Sequence, residues 1–307
     1  MTASPRAVSV VVPTHNRAPI LRRCLEALLA QTLPPDAYEI VVADDGSTDG
    51  TAEMVAATAA AAACPVRFAT LPRRSGPGAA RNLAVREAEG TLVVFVDSDV
   101  LVVPEFLAAH VDTHGAQGER ILGRGPIIIT PHLTLPESPP RGVIDLSTNY
   151  LDTANASVAR RHLEEAGMFD EQFSVYGWED LDLGIRLRRL GVRKVHVPAA
   201  IAYHYQPELD PERMESLLEK ERERAAMAVR FYRKHPGLTS RLAIQWTLFH
   251  RALAWVQTAG GLLHEGNVAA AVRWARARGL RTPAFLMLRG VLNRAYLRAL
   301  RAAWQEQ

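Results

Sequence analysis

The chain has 307 residues, of which 48% are hydrophobic and 22% charged, a composition typical of a globular protein with an ample core. Its two cysteines lack metal-ligand spacing and no run of eighteen uncharged apolar residues occurs, which excludes a cysteine metal site and a transmembrane helix. The net charge of +3 is uneven, because residues 225–307 hold thirteen Lys or Arg against two acidic residues, giving +11 there and −8 in residues 1–224.

The length accommodates one large α/β domain with an appendage, or two domains. We place a catalytic domain at 1–206 and a basic, helical region at 207–307. Cys24 and Cys64 are expected to be reduced thiols, and the start of the chain is too short and polar for a secretory signal. These features predict a cytoplasmic location.

Strands and helices alternate through the first hundred residues. The predicted order is strand Val8–Pro13, helix Ala18–Gln31, strand Glu39–Ala43, a helix capped by Asp49 and ending at Ala63, strand Val66–Thr70, helix Gly76–Arg86 and strand Leu92–Val96. This alternation predicts right-handed βαβ units. We therefore expect an α/β fold with an open, mainly parallel sheet and helices on both faces.

The alternation loosens beyond Asp99. We predict a helix Pro104–His114, a strand or hairpin arm Ile121–Thr130, a proline-rich loop at 131–148, a short helix Val158–Glu165, a helix Glu179–Leu190 and a strand Arg193–Val197. From Pro211 onward the sequence is almost entirely helical.

The triplet Asp97-Ser98-Asp99 follows the apolar strand Leu92–Val96. Carboxylates at the end of a buried parallel strand lie at the ligand-binding edge of an open α/β sheet. Their hard oxygen atoms suit Mg²⁺ or Mn²⁺, and such an ion suits a diphosphate. We expect Asp99 to bind the ion directly and Asp97 to bind it through water or to contact a ribose. The alternative is a polar strand end that caps the following helix.

Three earlier segments offer contacts for a nucleotide. The turn after the first strand supplies Pro13, Thr14 and Asn16, although Asn16 also suits a helix N-cap. Asp45, after the second strand, can accept hydrogen bonds from a base or from ribose hydroxyls, while its neighbours suit a turn. Arg81 follows Gly-Pro-Gly and can reach a base or phosphate, or can remain a solvated surface residue.

A second acidic cluster, with Glu179 and Asp180, lies at a predicted helix start. Acids favour this position through the helix dipole, but one of these carboxylates can also be the general base that deprotonates an acceptor hydroxyl. Trp178 offers a flat apolar face for a sugar ring. His204 follows the last predicted strand and can act as a third metal ligand or as an ordinary structural histidine.

These segments, in this order, resemble the family 2 glycosyltransferases, which have the GT-A fold. The resemblance covers about residues 8–205 and rests on Val11–Arg17, Asp44–Asp49, Gly78–Asn82, Asp97–Asp99, Asn155, Gly167–Glu171 and Trp178–Asp180. It implies an inverting transferase that uses a nucleotide-diphosphate sugar and a divalent metal. The implied roles are nucleotide contacts for Asp45 and Arg81, a metal-binding pair of Asp97 and Asp99, a donor-sugar or acceptor contact for Asn155, and a base, Asp180. His15 departs from the Tyr usual in the family, and Met168 from a common Gly.

Two other functions are weighed against this one. A sugar-1-phosphate nucleotidyltransferase also uses an α/β sheet and Mg²⁺, but it needs a basic, glycine-rich loop near the N-terminus, where residues 13–19 offer only Arg17. A non-catalytic scaffold on the same fold would not need Asp99 or Asp180. The acceptor of the transferase, whether a glycan, a lipid-linked molecule or a small molecule, is left open.

The basic C-terminal region carries apolar residues between its arginines, among them Trp246, Phe249, Leu253, Trp255, Leu262 and Leu263. This pattern is compatible with an amphipathic helix on the inner face of a membrane. Packing against the catalytic domain or against a second subunit explains the same pattern and is slightly favoured. We expect no nucleic-acid partner.

Overall fold

The computed structural model describes residues 7–136 and 149–306, and the predicted proline-rich loop lies in large part outside them. The chain divides into two compact units. The first comprises the described residues up to Ser174 together with Glu179–Pro207, and the second comprises Val175–Trp178 and the residues from Glu208. The short segment Val175–Trp178 therefore belongs to the second unit although the chain around it belongs to the first.

The first unit is built on a seven-stranded sheet and a three-stranded sheet. Its strands are β1 Val8–Thr14, β2 Tyr38–Asp44, β3 Val66–Thr70, β4 Leu92–Phe95, β5 Val100–Val102, β6 Ile121–Arg124, β7 Ile127–Thr130, β8 Ala156–Ala159, β9 Arg193–His196 and β10 Ala202–Tyr205. The large sheet has the order β3-β2-β1-β4-β8-β6-β9, in which only β8 runs antiparallel to its neighbours. The expected α/β fold with a mainly parallel sheet is confirmed.

Helices cover both faces of the large sheet. They are α1 Ala18–Leu29, α2 Thr51–Ala61, α3 Pro77–Glu87, α4 Phe106–Gln117, α5 Arg160–Glu165 and α6 Glu179–Arg189. Along β1, Val10 packs in one apolar cluster with Leu25 of α1, whereas Val11 packs in another with Ala80 of α3. Strands buried on both faces need apolar residues throughout, which explains why their sequences do not alternate.

The small sheet has the order β5-β10-β7 and was not fully predicted. The expected hairpin arm at 121–130 is two strands in different sheets, and β10 was missed. The predicted helix Val158–Glu165 begins as strand β8, where Val158 pairs with Val93 of β4, and only its second part is the helix α5. Four-residue strands are too short to show a period in sequence.

Asp49 does not cap the helix for which it was predicted. Its carboxylate accepts hydrogen bonds from the Ala18 backbone N–H, at the start of α1, and from the Thr51 hydroxyl. The residue before α2 is Gly50, which makes no side-chain cap. Asp49 therefore links the two loops that follow β1 and β2.

The second unit is helical. Its helices are α7 Met214–Lys234, α8 Leu238–Ala243, α9 Leu248–Gln257, α10 Val268–Ala277 and α11 Arg281–Glu306. Leu218 of α7, Val272 of α10 and Leu288 of α11 share one apolar core. Across the described residues, each helix falls short of the length or the apolar character that crossing a bilayer requires.

Candidate functional site

The carboxyl ends of β1, β2 and β4 meet at one edge of the large sheet. Thr14 pairs with Asp44, and Val11 pairs with Phe95, so the loops after these strands lie side by side. This edge is where ligands bind in open α/β sheets. The predicted nucleotide and metal residues between 13 and 99 lie at or just after these strand ends or near the start of α3.

Asp45 is buried and holds the loop before α3. Its Oδ1 accepts a hydrogen bond from the Ser75 N–H at 2.6 Å, and its Oδ2 accepts one from the Gly76 N–H at 2.9 Å. Gly76 has a φ of +96°, and a Cβ there would lie 2.6 Å from the Ser174 carbonyl, so only glycine fits. Asp45 thus shapes the floor of the expected nucleotide site.

The turn after β1 is tied to the turn after β2 through Asn16. Its backbone N–H donates to the Ser47 hydroxyl at 2.7 Å, and its side-chain oxygen accepts from the Thr48 N–H at 2.8 Å. Asn16 is not the N-cap of α1, which is Arg17. Pro13 and Thr14 lie within β1, and the buried Thr14 hydroxyl has no hydrogen-bond partner among the described residues.

Arg81 bridges two acidic groups from distant parts of the chain. Its guanidinium donates to Asp97 at 2.7 Å and to Glu179 at 2.9 Å, and its side chain is buried. Burial opposes the charge, but Asp97 and Glu179 outweigh it and raise the pKa of Arg81 above its usual value. Arg81 is therefore not a solvated surface residue, and it pairs with one carboxylate oxygen of Glu179.

Asp99 meets two partners. Its Oδ2 accepts a hydrogen bond from Arg17 at 2.7 Å, and its Oδ1 lies 3.3 Å from Nε2 of His204. Strand β10 places His204 there, since the Tyr205 N–H donates to the Asp99 carbonyl. Burial works against the charge of Asp99, yet His204 and Arg17 lower its pKa below the usual value.

The donor set fits a divalent ion bound jointly by protein and ligand. Among the described residues, no three His, Cys, Asp or Glu side chains converge into a complete metal site. Asp99 and His204 nevertheless stand close enough to ligate one ion, with Asp97 nearby on the same loop. Mg²⁺ is commonly held by one or two carboxylates and the phosphates of the substrate, so a partial protein site suits a nucleotide diphosphate.

Asp180 is partly exposed at the start of α6. Desolvation and the negative charges of Glu179 and Asp152 raise its pKa to about 8, in spite of the opposing charge of Arg81. A carboxylate with a pKa in this range can accept a proton near neutral pH. Asp180, which the sequence offered as a general base, thus has a raised pKa.

Sequence reasoning missed Asp152, which interacts with both parts of the site. Burial raises the pKa of Asp152, the charge of Asp97 adds to this, and Arg124, 3.7 Å away, opposes it. Asp152 in turn raises the pKa of Asp180. The one signal in the sequence was its position three residues before Asn155, since a single Asp in an aperiodic segment otherwise indicates a turn.

Two residues expected to contact sugar or acceptor are engaged elsewhere. Asn155 is fully buried, and its amide donates to the carbonyls of Pro126 and Ala200, which leaves it no access to a ligand. Trp178 stacks on Phe231 with ring centroids 5.3 Å apart, and its indole N–H donates to a backbone carbonyl of α7. The buried Asn155 therefore does not make the contact expected of it, and the contacts of Trp178 favour packing over sugar binding.

Residues 9–130 match the model of the family "Glycosyl transferase family 2". Over these residues, about two-fifths of the chain, the protein is similar to glycosyltransferase family 2. The match covers the strands β1 to β4 and the loops that carry Asp45, Arg81, Asp97 and Asp99. The resemblance inferred from the sequence motifs is confirmed.

Curated relatives of this chain include glycosyltransferases from several bacteria. Validoxylamine A glucosyltransferase of Streptomyces hygroscopicus subsp. limoneus is 29% identical over 282 residues, covering 80% of this chain and 60% of the relative. The uncharacterised glycosyltransferase YfnE of Bacillus subtilis is 27% identical over 241 residues, covering 60% of this chain and 61% of the relative. The chain thus spans about three-fifths of the length of these relatives.

Solved structures confirm the GT-A architecture. A mannosyltransferase of Pyrobaculum calidifontis, in complex with GDP-Man and Mn²⁺, superimposes with a TM-score of 0.66 at 21% identity, covering 100% of this chain and 90% of that one. Residues 1–349 of Staphylococcus aureus TarS give a TM-score of 0.55 at 20% identity, with 98% and 92% covered. Identities this low establish the fold alone.

Proposed function

We propose that this chain is a metal-assisted, inverting glycosyltransferase that moves a sugar from a nucleotide diphosphate to an acceptor hydroxyl. The observation that carries the proposal is the environment of Asp180, whose pKa is raised to about 8 by desolvation, Glu179 and Asp152. Asp152 also interacts with Asp97, at the strand edge where the donor is expected. A base and a donor site are thus electrostatically linked. In this proposal residues 1–206 form the catalytic part.

The donor contacts come from the loops after β1, β2 and β4. Pro13, Thr14, Asn16 and Asp45 form the expected nucleotide side, and the unpaired Thr14 hydroxyl offers a hydrogen bond there. Arg81 acts mainly by holding Asp97 in place. Support comes from structural neighbours, because the Pyrobaculum mannosyltransferase was solved with GDP-Man and TarS with UDP and with UDP-GlcNAc.

Asp99 and His204 would hold a divalent cation, with Asp97 contributing through water or binding the ribose. When bound, such an ion supplies Lewis-acid stabilisation to the negative charge on the departing diphosphate. Mn²⁺ is present in the Pyrobaculum neighbour and in a structure of GalNAc-T7, which supports the same class of ion here. Arg17 is half-exposed and can swing away from Asp99 to make room.

Asp180 accepts the proton of the acceptor hydroxyl as its oxygen attacks the anomeric carbon. The bond between that carbon and the diphosphate oxygen breaks on the opposite side, so the configuration inverts. The bonding electrons leave with the nucleoside diphosphate, which needs no protonation by a second acid. Asp180 ends the step protonated, the state that a pKa of about 8 favours at neutral pH.

The test is a screen of UDP-, GDP- and dTDP-sugars with Mn²⁺, following release of the nucleoside diphosphate and the anomeric configuration by NMR. We expect one donor class to turn over with inversion. Asp180→Asn should retain donor binding and lose about 100-fold or more in turnover, whereas the exposed control Asp36→Asn should match the wild type. Retention of configuration, or full turnover by Asp180→Asn, would refute the mechanism.

A further inference from the structure

Large apolar side chains are concentrated on the surface of the second unit. Of the fifteen exposed large hydrophobic residues among the described ones, twelve lie between positions 238 and 286. We call these twelve the apolar surface: Leu238, Leu242, Leu248, Phe249, Leu253, Trp255, Val256, Leu262, Trp274, Leu280, Phe285 and Leu286. Exposed apolar side chains at this density along the chain indicate an interaction site rather than the scattered apolar residues of an ordinary surface.

Helix α9 turns its apolar face outward. Leu248, Phe249, Trp255 and Val256 are between 62% and 79% exposed and recur at the spacings of one helical face, whereas Ala254 is its one buried residue. An ordinary surface helix buries its apolar stripe in the core. The apolar face of α9 is therefore available to something outside the fold.

The shorter helix α8 also exposes apolar side chains. Leu238 and Leu242 stand one turn apart and are both exposed, and Arg241 lies between them. The pattern of α9 is thus repeated in a neighbouring segment of the chain. Several short elements, rather than one side chain, contribute to the apolar surface.

The segment that carries the apolar surface is also strongly basic. Residues 238–286 contain six arginines and a single acidic residue, Glu265, which is itself paired with Arg298. Arg251 is exposed within α9, and Arg278 lies over the ring of Trp274 at 4.2 Å. Large apolar and aromatic groups are therefore interleaved with positive charge.

We propose that the apolar surface docks this protein on an anionic lipid bilayer. Trp and Phe side chains enter the boundary between headgroups and acyl chains, while arginines between them attract anionic headgroups. A second copy of the chain fits the apolar surface less well, because a twofold contact would bring like-charged arginines of the two copies together, and these repel each other. No described helix can span a bilayer, so the contact lies on the surface of the membrane. This inference does not depend on the proposed transfer chemistry.

The experiment is flotation of the full chain with vesicles of phosphatidylcholine alone and of phosphatidylcholine mixed with phosphatidylglycerol. We expect binding to the mixed vesicles and its loss as salt is raised, since exposed charges are screened. The variant Phe249→Ser/Trp255→Ser should lower the partition coefficient about tenfold or more, because two apolar anchors are removed. The control Ile129→Ser, also at an exposed apolar residue but in β7, should bind as the wild type does.

Charge is tested separately with Arg241→Glu/Arg251→Glu, which should weaken binding to mixed vesicles while Arg22→Glu, in α1, leaves it unchanged. Circular dichroism and the melting temperature establish that each variant is folded. Failure of the wild type to float with mixed vesicles would overturn the proposal. A concentration-dependent dimer, disrupted by Phe249→Ser/Trp255→Ser in analytical ultracentrifugation, would assign the apolar surface to a second copy instead.

Discussion

Surroundings that disfavour the charge of a carboxylate make it a stronger base near neutral pH, and Asp180 has such surroundings. It loses hydration at the start of α6, and it lies near Glu179 and Asp152. Arg81 opposes both effects, but its two hydrogen bonds go to Asp97 and Glu179. The proton affinity of Asp180 is therefore raised toward the range that the proposed proton transfer needs.

The pH dependence of kcat/KM should reveal this base. The active form of Asp180 is deprotonated, so activity should rise with pH through an apparent pKa near 8. Asp152→Asn removes a neighbouring negative charge, and the rising limb should move to lower pH. The control Asp112→Asn, an exposed residue of α4, should leave the profile in place. An unchanged profile in Asp152→Asn would contradict the coupling between the two carboxylates.

Arg81 should matter more for stability than its neighbour on the same helix. Arg81→Leu leaves Asp97 and Glu179 without their buried partner, which should lower the free energy of unfolding by about 3 kcal/mol. Arg86 also pairs with an acid, Glu171, but both side chains are well exposed, so Arg86→Leu should cost about 1 kcal/mol or less. Urea unfolding of both variants measures the difference, and equal costs would show that the bridge is not stabilising.

At the scale of elements, β8 and α4 enclose a polar network in the interior. Ser157 of β8 lies between two histidines of α4, 2.8 Å from His110 and 2.9 Å from His114, and His110 also contacts Asn155. Burial lowers the pKa of His110 to about 3 and that of His114 to about 4. Both imidazoles are therefore neutral in the folded protein at pH values where an unfolded chain would protonate them.

This network should make the fold acid-sensitive. Below about pH 6.5 the unfolded chain binds protons that the folded protein excludes, so the free energy of unfolding should fall as pH drops toward 4. His110→Gln removes one such group and should flatten the slope by up to about 1.4 kcal/mol per pH unit. The exposed control His132→Gln should keep the wild-type slope. Chemical denaturation at a series of pH values measures these slopes. Equal slopes of unfolding free energy against pH for the wild type, His110→Gln and His132→Gln would show that His110 does not cause the acid sensitivity.

The sequence could predict those strands and helices that have a long run of apolar residues or that begin or end at Pro or Gly. The strands β1 to β4 and helices α1 and α3 were found within a few residues because buried apolar runs, Pro and Gly mark them. Strands β8 and β10 escaped because four residues fit several patterns. Yet β10 brings His204 to Asp99 by pairing with β5. The local sequence does not encode this strand pairing, on which the candidate metal site depends.

The candidate site could be predicted only where the sequence holds more acidic residues than a turn or a helix end requires. Two adjacent acids after β2 and the triplet after β4 drew attention in this way, and both lie at the expected edge of the sheet. Asp152 gave no such excess. The stacking of Trp178 on Phe231 depends on α7, some fifty residues later in the chain, so no local pattern could predict it. Side chains with tertiary partners cannot be told from free ones in a single sequence.

At the scale of the whole molecule, charge is divided along the chain. Residues 1–224 carry −8, and within them the acids Asp97, Asp99, Asp152 and Asp180 surround the expected donor site. A nucleotide diphosphate is itself anionic, so its approach to these carboxylates is unfavourable without a neutralising cation. Donor binding and cation binding are therefore expected to be coupled.

Thermal unfolding should report this coupling for the intact chain. At about 100 times its dissociation constant a ligand stabilises the folded state by about 2.7 kcal/mol, which raises Tm by about 4 °C in a protein of this size. We expect this shift with Mn²⁺ together with UDP or GDP, and a smaller one with the nucleotide alone. Asp99→Ala should abolish the gain that Mn²⁺ adds, because it removes the ligand held beside His204. Asp36→Ala, at an exposed residue, should preserve it, and an equal gain in both variants would place the cation elsewhere.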